Sequence, residues 1–246
     1  MQTSGIKVQQ TKLMIKAIFF DFNGVIIDDE TIQLNAYHEV LKDYGINVTE
    51  EWYFDSLGMD DKTFIKSMFD RAKKNIPANA INDVLSAKTE RHRAMIEDEL
   101  PLCPGVLTFM KAASRHFSLG LVSMANQNEV SYVFERANLR PLFSVVVTAE
   151  DVQVCKPAPA CYQHGLAQLN AERQRGRLLP LLPRECLAIE DSPPGIQAGR
   201  AAGMQTLGVT NTVSEQELRQ AGADVVTHSL ADWTVDAVKH LFRSTH

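Results

Sequence analysis

Five side chains in this sequence have the types and the placement to handle a phosphoryl group. Asp21 follows the apolar run in IKAIFFDFNGVIIDDE, and Ser123 follows that in LVSMANQNE. Lys156 stands in VCKPAPACY, and Glu190 and Asp191 close the run in LAIEDSPPGIQAGRAAGM. A carboxylate can attack phosphorus and form an aspartyl-phosphate. Hard Mg²⁺, held by carboxylate and carbonyl oxygens, would neutralise the meeting of two anions and clamp the phosphate oxygens. A serine hydroxyl with the backbone N–H groups that follow it, beginning at Met124, can hold the non-bridging oxygens. A lysine adds a point charge where negative charge develops. Singly, each has a plainer reading: an exposed Asp at a strand end, a Ser capping the next helix, a Lys-Pro turn, a solvated Glu-Asp pair. Four such segments in this order favour one shared site.

The elements that must position them follow from periodicity. Ile15–Phe20 is a short apolar run ending in a polar cluster and Gly24, which reads as a buried strand followed by a tight turn. Helical spacing then predicts helices at Glu30–Tyr44, Glu50–Ser56, Lys62–Lys74 and Asn79–Leu100, with no strand among them. Alternation follows. Helices are expected at 105–115, 126–138, 158–169, 195–202, 214–220 and 230–242, and strands at 118–122, 144–147, 186–189, 205–209 and 224–226. Ala171–Glu185 reads as a solvated connection. Strands alternating with helices predict an α/β fold with a doubly wound, mostly parallel sheet, whose strand ends share one rim. Residues 1–29 and 101–246 would form this core. Residues 30–100 would form an inserted α-helical cap domain, with Pro101 and Pro104 at the hinge and the Gly58 turn looking into the crevice.

Composition narrows the function. The 246 residues carry a net charge of −5 and no long basic stretch, which argues against nucleic acid as a partner. Cys103, Cys155, Cys161 and Cys186 follow no metal-ligand spacing and read as reduced packing residues of a cytoplasmic protein. No apolar run approaches a membrane span. The polar start MQTSGIKVQQTK lacks the apolar core of a signal peptide and reads as a frayed tail. The expected partner is a small phosphorylated metabolite, with no membrane or nucleic acid, bound by a monomer or weak dimer.

The motifs resemble the haloacid dehalogenase superfamily, in the branch of β-phosphoglucomutase and phosphoglycolate phosphatase with a helical cap after the first strand. The residues that carry the likeness are Asp21-Phe22-Asn23-Gly24-Val25, Ser123, Lys156-Pro157 with Pro159, and Glu190-Asp191-Ser192 with Gly195 and Ala201-Ala202-Gly203-Met204. The resemblance implies Asp21 as nucleophile and Ser123, Met124, Lys156 and Gly24 around the phosphate. It implies Mg²⁺ held by Asp21, the Asn23 carbonyl, Glu190 and Asp191.

One position departs from the family pattern. A second Asp, which protonates the leaving group and then activates water, is expected where Asn23 stands, and an amide neither gives nor takes a proton at pH 7. Four readings follow. The proton comes from elsewhere or is little needed, with Asp28, Asp60, Asp61 and Lys62 as candidates. An Asp has been replaced to trap an intermediate. The chain cleaves a C–P bond through a cap lysine, as in phosphonoacetaldehyde hydrolase, with Lys62 the lysine to test. Or it binds a phosphometabolite without turnover. The reading taken is a Mg²⁺-dependent hydrolase of small phosphate monoesters, such as sugar phosphates or phosphoglycolate, weakened by Asn23.

Overall fold

A computed structural model describes residues 14–242. The polar start read as a tail, residues 1–12, lies outside them. Six parallel strands form one sheet: β1 (Ala17–Phe20), β2 (Ser118–Val122), β3 (Val145–Val147), β4 (Cys186–Glu190), β5 (Gln205–Val209) and β6 (Val225–Thr227). Their spatial order is β3-β2-β1-β4-β5-β6. β1 lies centrally, with Phe20 beside Leu121 on one side and Ile189 on the other. It is buried on both faces, which is why its sequence is a nearly unbroken apolar run. Alternate side chains serve different layers. Ile18 and Phe20 pack with α5 (Val106–Ala113), α6 (Gln127–Arg136) and α10 (Val235–Leu241). Ala17 and Phe19 pack with α7 (Ala160–Arg175) and α8 (Pro193–Ala201) on the opposite face.

Between β1 and α5 lie four helices: α1 (Glu30–Lys42), α2 (Glu50–Phe54), α3 (Asp61–Arg71) and α4 (Ala80–Met95). They gather around a core of their own that includes Tyr37, Leu41, Ile65, Met68, Phe69 and Val84. The chain leaves and re-enters the sheet domain through two segments that pair with each other. Asp28 N–H donates to Pro101 O at 2.7 Å and Cys103 N–H to Ile26 O at 3.0 Å.

Three stretches differ from the sequence reading. α4 ends at Met95 and not at Leu100. α7 does not stop at Leu169 but runs to Arg175, into the segment read as loop, because AERQR is made of good helix formers that need no apolar stripe. The single helix expected over 230–242 is broken: a 3-10 turn at Leu230–Asp232 precedes α10, whose N-terminus Thr234 caps by accepting from Ala237 N–H at 3.1 Å. The remaining α9 (Glu215–Gln220) begins where expected, with Ser214 and Glu217 bonding reciprocally across its first turn.

Candidate active site

The rim formed by the carboxyl ends of β1, β2 and β4 brings the predicted residues together. Asp21 leaves β1, and its Oδ1 accepts from Phe22 N–H at 2.8 Å. Lys156, 5 % exposed, reaches Asp21 Oδ2 at 2.9 Å and Glu190 Oε1 at 2.7 Å. Burial alone would pull its pKa down, but the charges of Asp21 and Glu190 carry it up, so the ammonium stays charged. Ser123 follows β2, and Met124 and Ala125 line the same cavity. The Ser123 hydroxyl does not cap α6. It accepts from Ala125 N–H at 2.9 Å, while Asn126 caps α6 by accepting from Glu129 N–H at 3.1 Å.

Asp21, Glu190 and Asp191 each place a carboxylate oxygen within 4.8 Å of the other two. Burial, and then the charge of Asp21, push the carboxyls of both Glu190 and Asp191 well above the usual range. Glu190 Oε2 is buried and takes no hydrogen bond in the structure. Three crowded carboxylates, one with an orphaned oxygen, are the donor set a hard divalent cation suits. Gly24 makes the close approach feasible. Its φ is +68°, and a Cβ there would lie 1.8 Å from Asp191 Oδ2. β5 contributes a residue that sequence reasoning missed: Thr212, just beyond its end, donates its hydroxyl to Asp191. Tyr162 of α7, also missed, donates to Glu190. The signal for Thr212 was present, because β5 ends on the same rim as the strands whose ends were inspected.

Asn23 lines the cavity, but its Nδ2 turns away to donate to both oxygens of Asp29, at 2.9 and 3.0 Å. A carboxylate only accepts, so this contact fixes the amide and leaves Oδ1 as the free acceptor. Asp29 is fully buried. Its Oδ2 also accepts from Gln33 Nε2 at 3.0 Å and faces His92 Nε2 at 2.7 Å. Nearby, Lys88 of α4 joins Glu129 of α6 at 2.8 Å and Asp61 of α3 at 3.0 Å.

Other residues named from the sequence are scattered. Lys62 is exposed and lines a separate hollow with Lys66 and Ile76. Asp60 caps α3 and contacts Cys155 Sγ, while Asp28 is exposed and absent from the cavity wall. Asp61 lines the cavity but is committed to Lys88, Tyr37 and Asn126. Glu30, which sequence reasoning overlooked, lines it as well and accepts from the Tyr53 hydroxyl. Burial, followed by the charge of Asp29, pushes the Glu30 carboxyl up to about 7. Leu57, Gly58 and Met59 close the cavity from the helical insert, with Gly58 so near that a Cβ would lie 2.9 Å from Pro194. The cavity measures about 90 Å³. At ~10–15 Å³ per water-sized position, it has room for a phosphoryl group and the first atoms of its leaving group.

A profile of haloacid dehalogenase-like hydrolases matches residues 18–209. The chain belongs to that family. It is 27 % identical over 226 residues to hexitol phosphatase B of Escherichia coli K12, covering 91 % of this chain and 96 % of that one. It is 26 % identical over 214 residues to a phosphorylated carbohydrates phosphatase of Thermotoga maritima, covering 85 % and 92 %. CbbY of Rhodobacter sphaeroides, solved with xylulose-(1,5)bisphosphate, superposes with a TM-score of 0.77 at 26 % identity, covering 89 % and 96 %. β-Phosphoglucomutase of Clostridium difficile shares the fold with a TM-score of 0.80 at 20 % identity, covering 93 % and 97 %. The protein is thus a phosphatase of this family, with the sheet and flanking helices that its motifs imply.

Proposed function

We propose that the chain is a Mg²⁺-dependent hydrolase of small phosphate monoesters, sugar phosphates foremost, and that Asp21 is its nucleophile. The observation that carries this reading is the placement of Asp21 between Lys156 and the Glu190–Asp191 pair in the wall of one cavity. Phosphatases of phosphorylated carbohydrates among the relatives support the substrate class.

Asp21 Oδ2 attacks phosphorus in line, the P–O bond to the leaving group breaks, and water later cleaves the aspartyl-phosphate. Lys156 and the N–H groups after Ser123 hold the non-bridging oxygens as charge grows on them. Asp21, the Asn23 carbonyl, Glu190 and Asp191 would hold the cation, which supplies charge neutralisation and in-line orientation. The proton for the leaving oxygen cannot come from Asn23. We assign it to Glu30, the cavity carboxyl held protonated to near neutral pH. Residues 30–100 act as the cap, whose closure over the phosphate excludes water. Free thiols at Cys103, Cys155, Cys161 and Cys186 accord with a reducing cytoplasm. Among the described residues no helix is long and apolar enough to cross a membrane.

A Schiff base finds no lysine here. Lys62 is outside the cavity. Lys88 and Lys156 line it, and although burial pulls their pKa values down, Asp61 and Glu129 hold the first protonated and Asp21 and Glu190 the second, whereas an imine needs a neutral amine. The test is phosphate release with Mg²⁺ across sugar phosphates, polyol phosphates, phosphoglycolate and nucleotides. Turnover that disappears in Asp21→Asn supports the reading. Phosphate binding without turnover of any ester makes the chain a binding protein.

A further inference from the structure

The leaving-group end of the cavity is built from acceptors. Asp61 and Glu129 line it beside Lys88, whose ammonium bridges them at 3.0 and 2.8 Å. Gln33, 4 % exposed, lines the same wall. Its Nε2 is committed to the carboxylates of Asp29 at 3.0 Å and Glu129 at 3.1 Å, which fixes the amide. Its Oε1 is buried and takes no hydrogen bond in the structure. A buried acceptor without a donor is unfavourable, and a ligand that donates to it removes that cost. Asn23 Oδ1 is a second acceptor, left over when Nδ2 turns to Asp29.

Resting on the phosphohydrolase reading above, we propose that the leaving group is a neutral or amine-bearing polyol. It donates hydrogen bonds to Gln33 Oε1 and Asn23 Oδ1, and substrates with a second phosphate or a carboxylate at this end are excluded. A second anion would meet carboxylates and the acceptor faces of two amides, with two of the three Lys88 N–H groups already on Asp61 and Glu129. Bringing in like charge without a partner is the arrangement by which sites reject a wrong ligand. A hydroxyl satisfies the orphaned oxygen, and an ammonium satisfies it while also meeting the excess carboxylate charge.

Matched pairs on one scaffold isolate the charge. Glycerol 3-phosphate and 3-phosphoglycerate differ by CH₂OH against carboxylate, as do glucitol 6-phosphate and 6-phosphogluconate. Glucosamine 6-phosphate against glucose 6-phosphate tests the amine, and glucitol 1,6-bisphosphate tests the second phosphate. The kcat/KM of each anionic partner is expected to be at least about tenfold below that of its hydroxyl partner, with the amine at parity or better. An anionic partner that matches or exceeds its neutral counterpart overturns the inference. Calorimetric binding of the same compounds to Asp21→Asn with Mg²⁺ keeps the two readings apart. Loss of turnover throughout would strike the hydrolase reading, while the binding order alone judges this one. Binding of vanadate but of no hydroxyl compound counts against it.

Discussion

Two buried lysines in this molecule make nearly the same ion pairs. Lys156 bridges Asp21 and Glu190 at 2.9 and 2.7 Å, and Lys88 bridges Asp61 and Glu129 at 3.0 and 2.8 Å. The difference lies in what is left over. Around Lys88 the acids are saturated: Asp61 also takes Tyr37 and Asn126, and Glu129 also takes Gln33 and Thr89. Around Lys156, Glu190 Oε2 has no partner, and Asp21 and Asp191 crowd against it. A closed network tends to tie elements together. An open one is short of charge and calls for a cation and a substrate. Since Lys88 and Asp61 sit on α4 and α3 and Glu129 on α6, the closed network joins the helical insert to the sheet domain beside the cavity.

The sharpest break between the two should come from Asp21→Asn. Turnover should fall on the order of 10⁴-fold or more, as loss of a nucleophile does, with no loss of melting temperature in the metal-free protein. Retention of a tenth of the parent rate would remove Asp21 as nucleophile.

Removing either lysine should then separate the two networks by readout. Lys156→Ala should cost ~10²–10³-fold in kcat and weaken vanadate binding. Lys88→Ala should act first on stability, because it strands two buried carboxylates at a cost of about 3–5 kcal/mol. Denaturant melts and vanadate titrations on both variants decide it. If Lys88→Ala leaves the melt unchanged, the closed network is not what joins insert to sheet.

Glu30 sits on the open side of the comparison, and its raised carboxyl gives a pH signature. A proton bound more tightly in the folded chain stabilises it fully below the ordinary value of 4.5. That contribution is lost as pH rises through about 7. Melting temperature in EDTA should therefore drop less between pH 5 and 8 in Glu30→Gln than in the parent. The same variant should lose ~10²-fold on alkyl phosphates and little on p-nitrophenyl phosphate. Parallel pH curves would place the proton elsewhere.

The open network was largely legible in the sequence and the closed one was not. Glu190 ends a strand and Asp21, Ser123, Lys156 and Asp191 come after strands, and parallel topology sends every such end to one rim. The Lys88–Glu129 pair joins helices 41 positions apart, and His92 meets Asp29 across 63. Nothing local marks those encounters. Lys88 went unnamed beside Lys62 for the same reason: both are helix lysines, and only packing shows which one lines the cavity. Glu30 was passed over because a helix N-terminus supplies an ordinary reason for an acidic residue.

Asn23 tests the boundary between the networks, and the structure changes what its replacement should do. A carboxylate at 23 in place of the amide would face both oxygens of Asp29, at the 2.9 and 3.0 Å now spanned by hydrogen bonds. Two carboxylates at that distance share a proton, because they cannot both stay charged. The proton would lie between them and not toward a leaving group. Asn23→Asp alone is therefore expected to change turnover by no more than a few-fold. Combining it with Asp29→Asn exchanges the two groups. Asn23 donates to both Asp29 oxygens, but Gln33 and His92 meet Oδ2 alone. An amide at 29 can thus put NH₂ where Oδ1 was and keep its oxygen toward Gln33 and His92. The carboxylate at 23 is then hydrogen-bonded, unopposed and in the cavity wall. In a Glu30→Gln background, where the assigned donor is absent, the exchange should raise kcat on poor leaving groups by ~10²-fold, with little gain on p-nitrophenyl phosphate. If the single variant gains as much as the double, the Asn23–Asp29 contact does not govern position 23. If neither gains in that background, in a folded protein that binds Mg²⁺, a carboxylate at 23 does not reach the leaving oxygen.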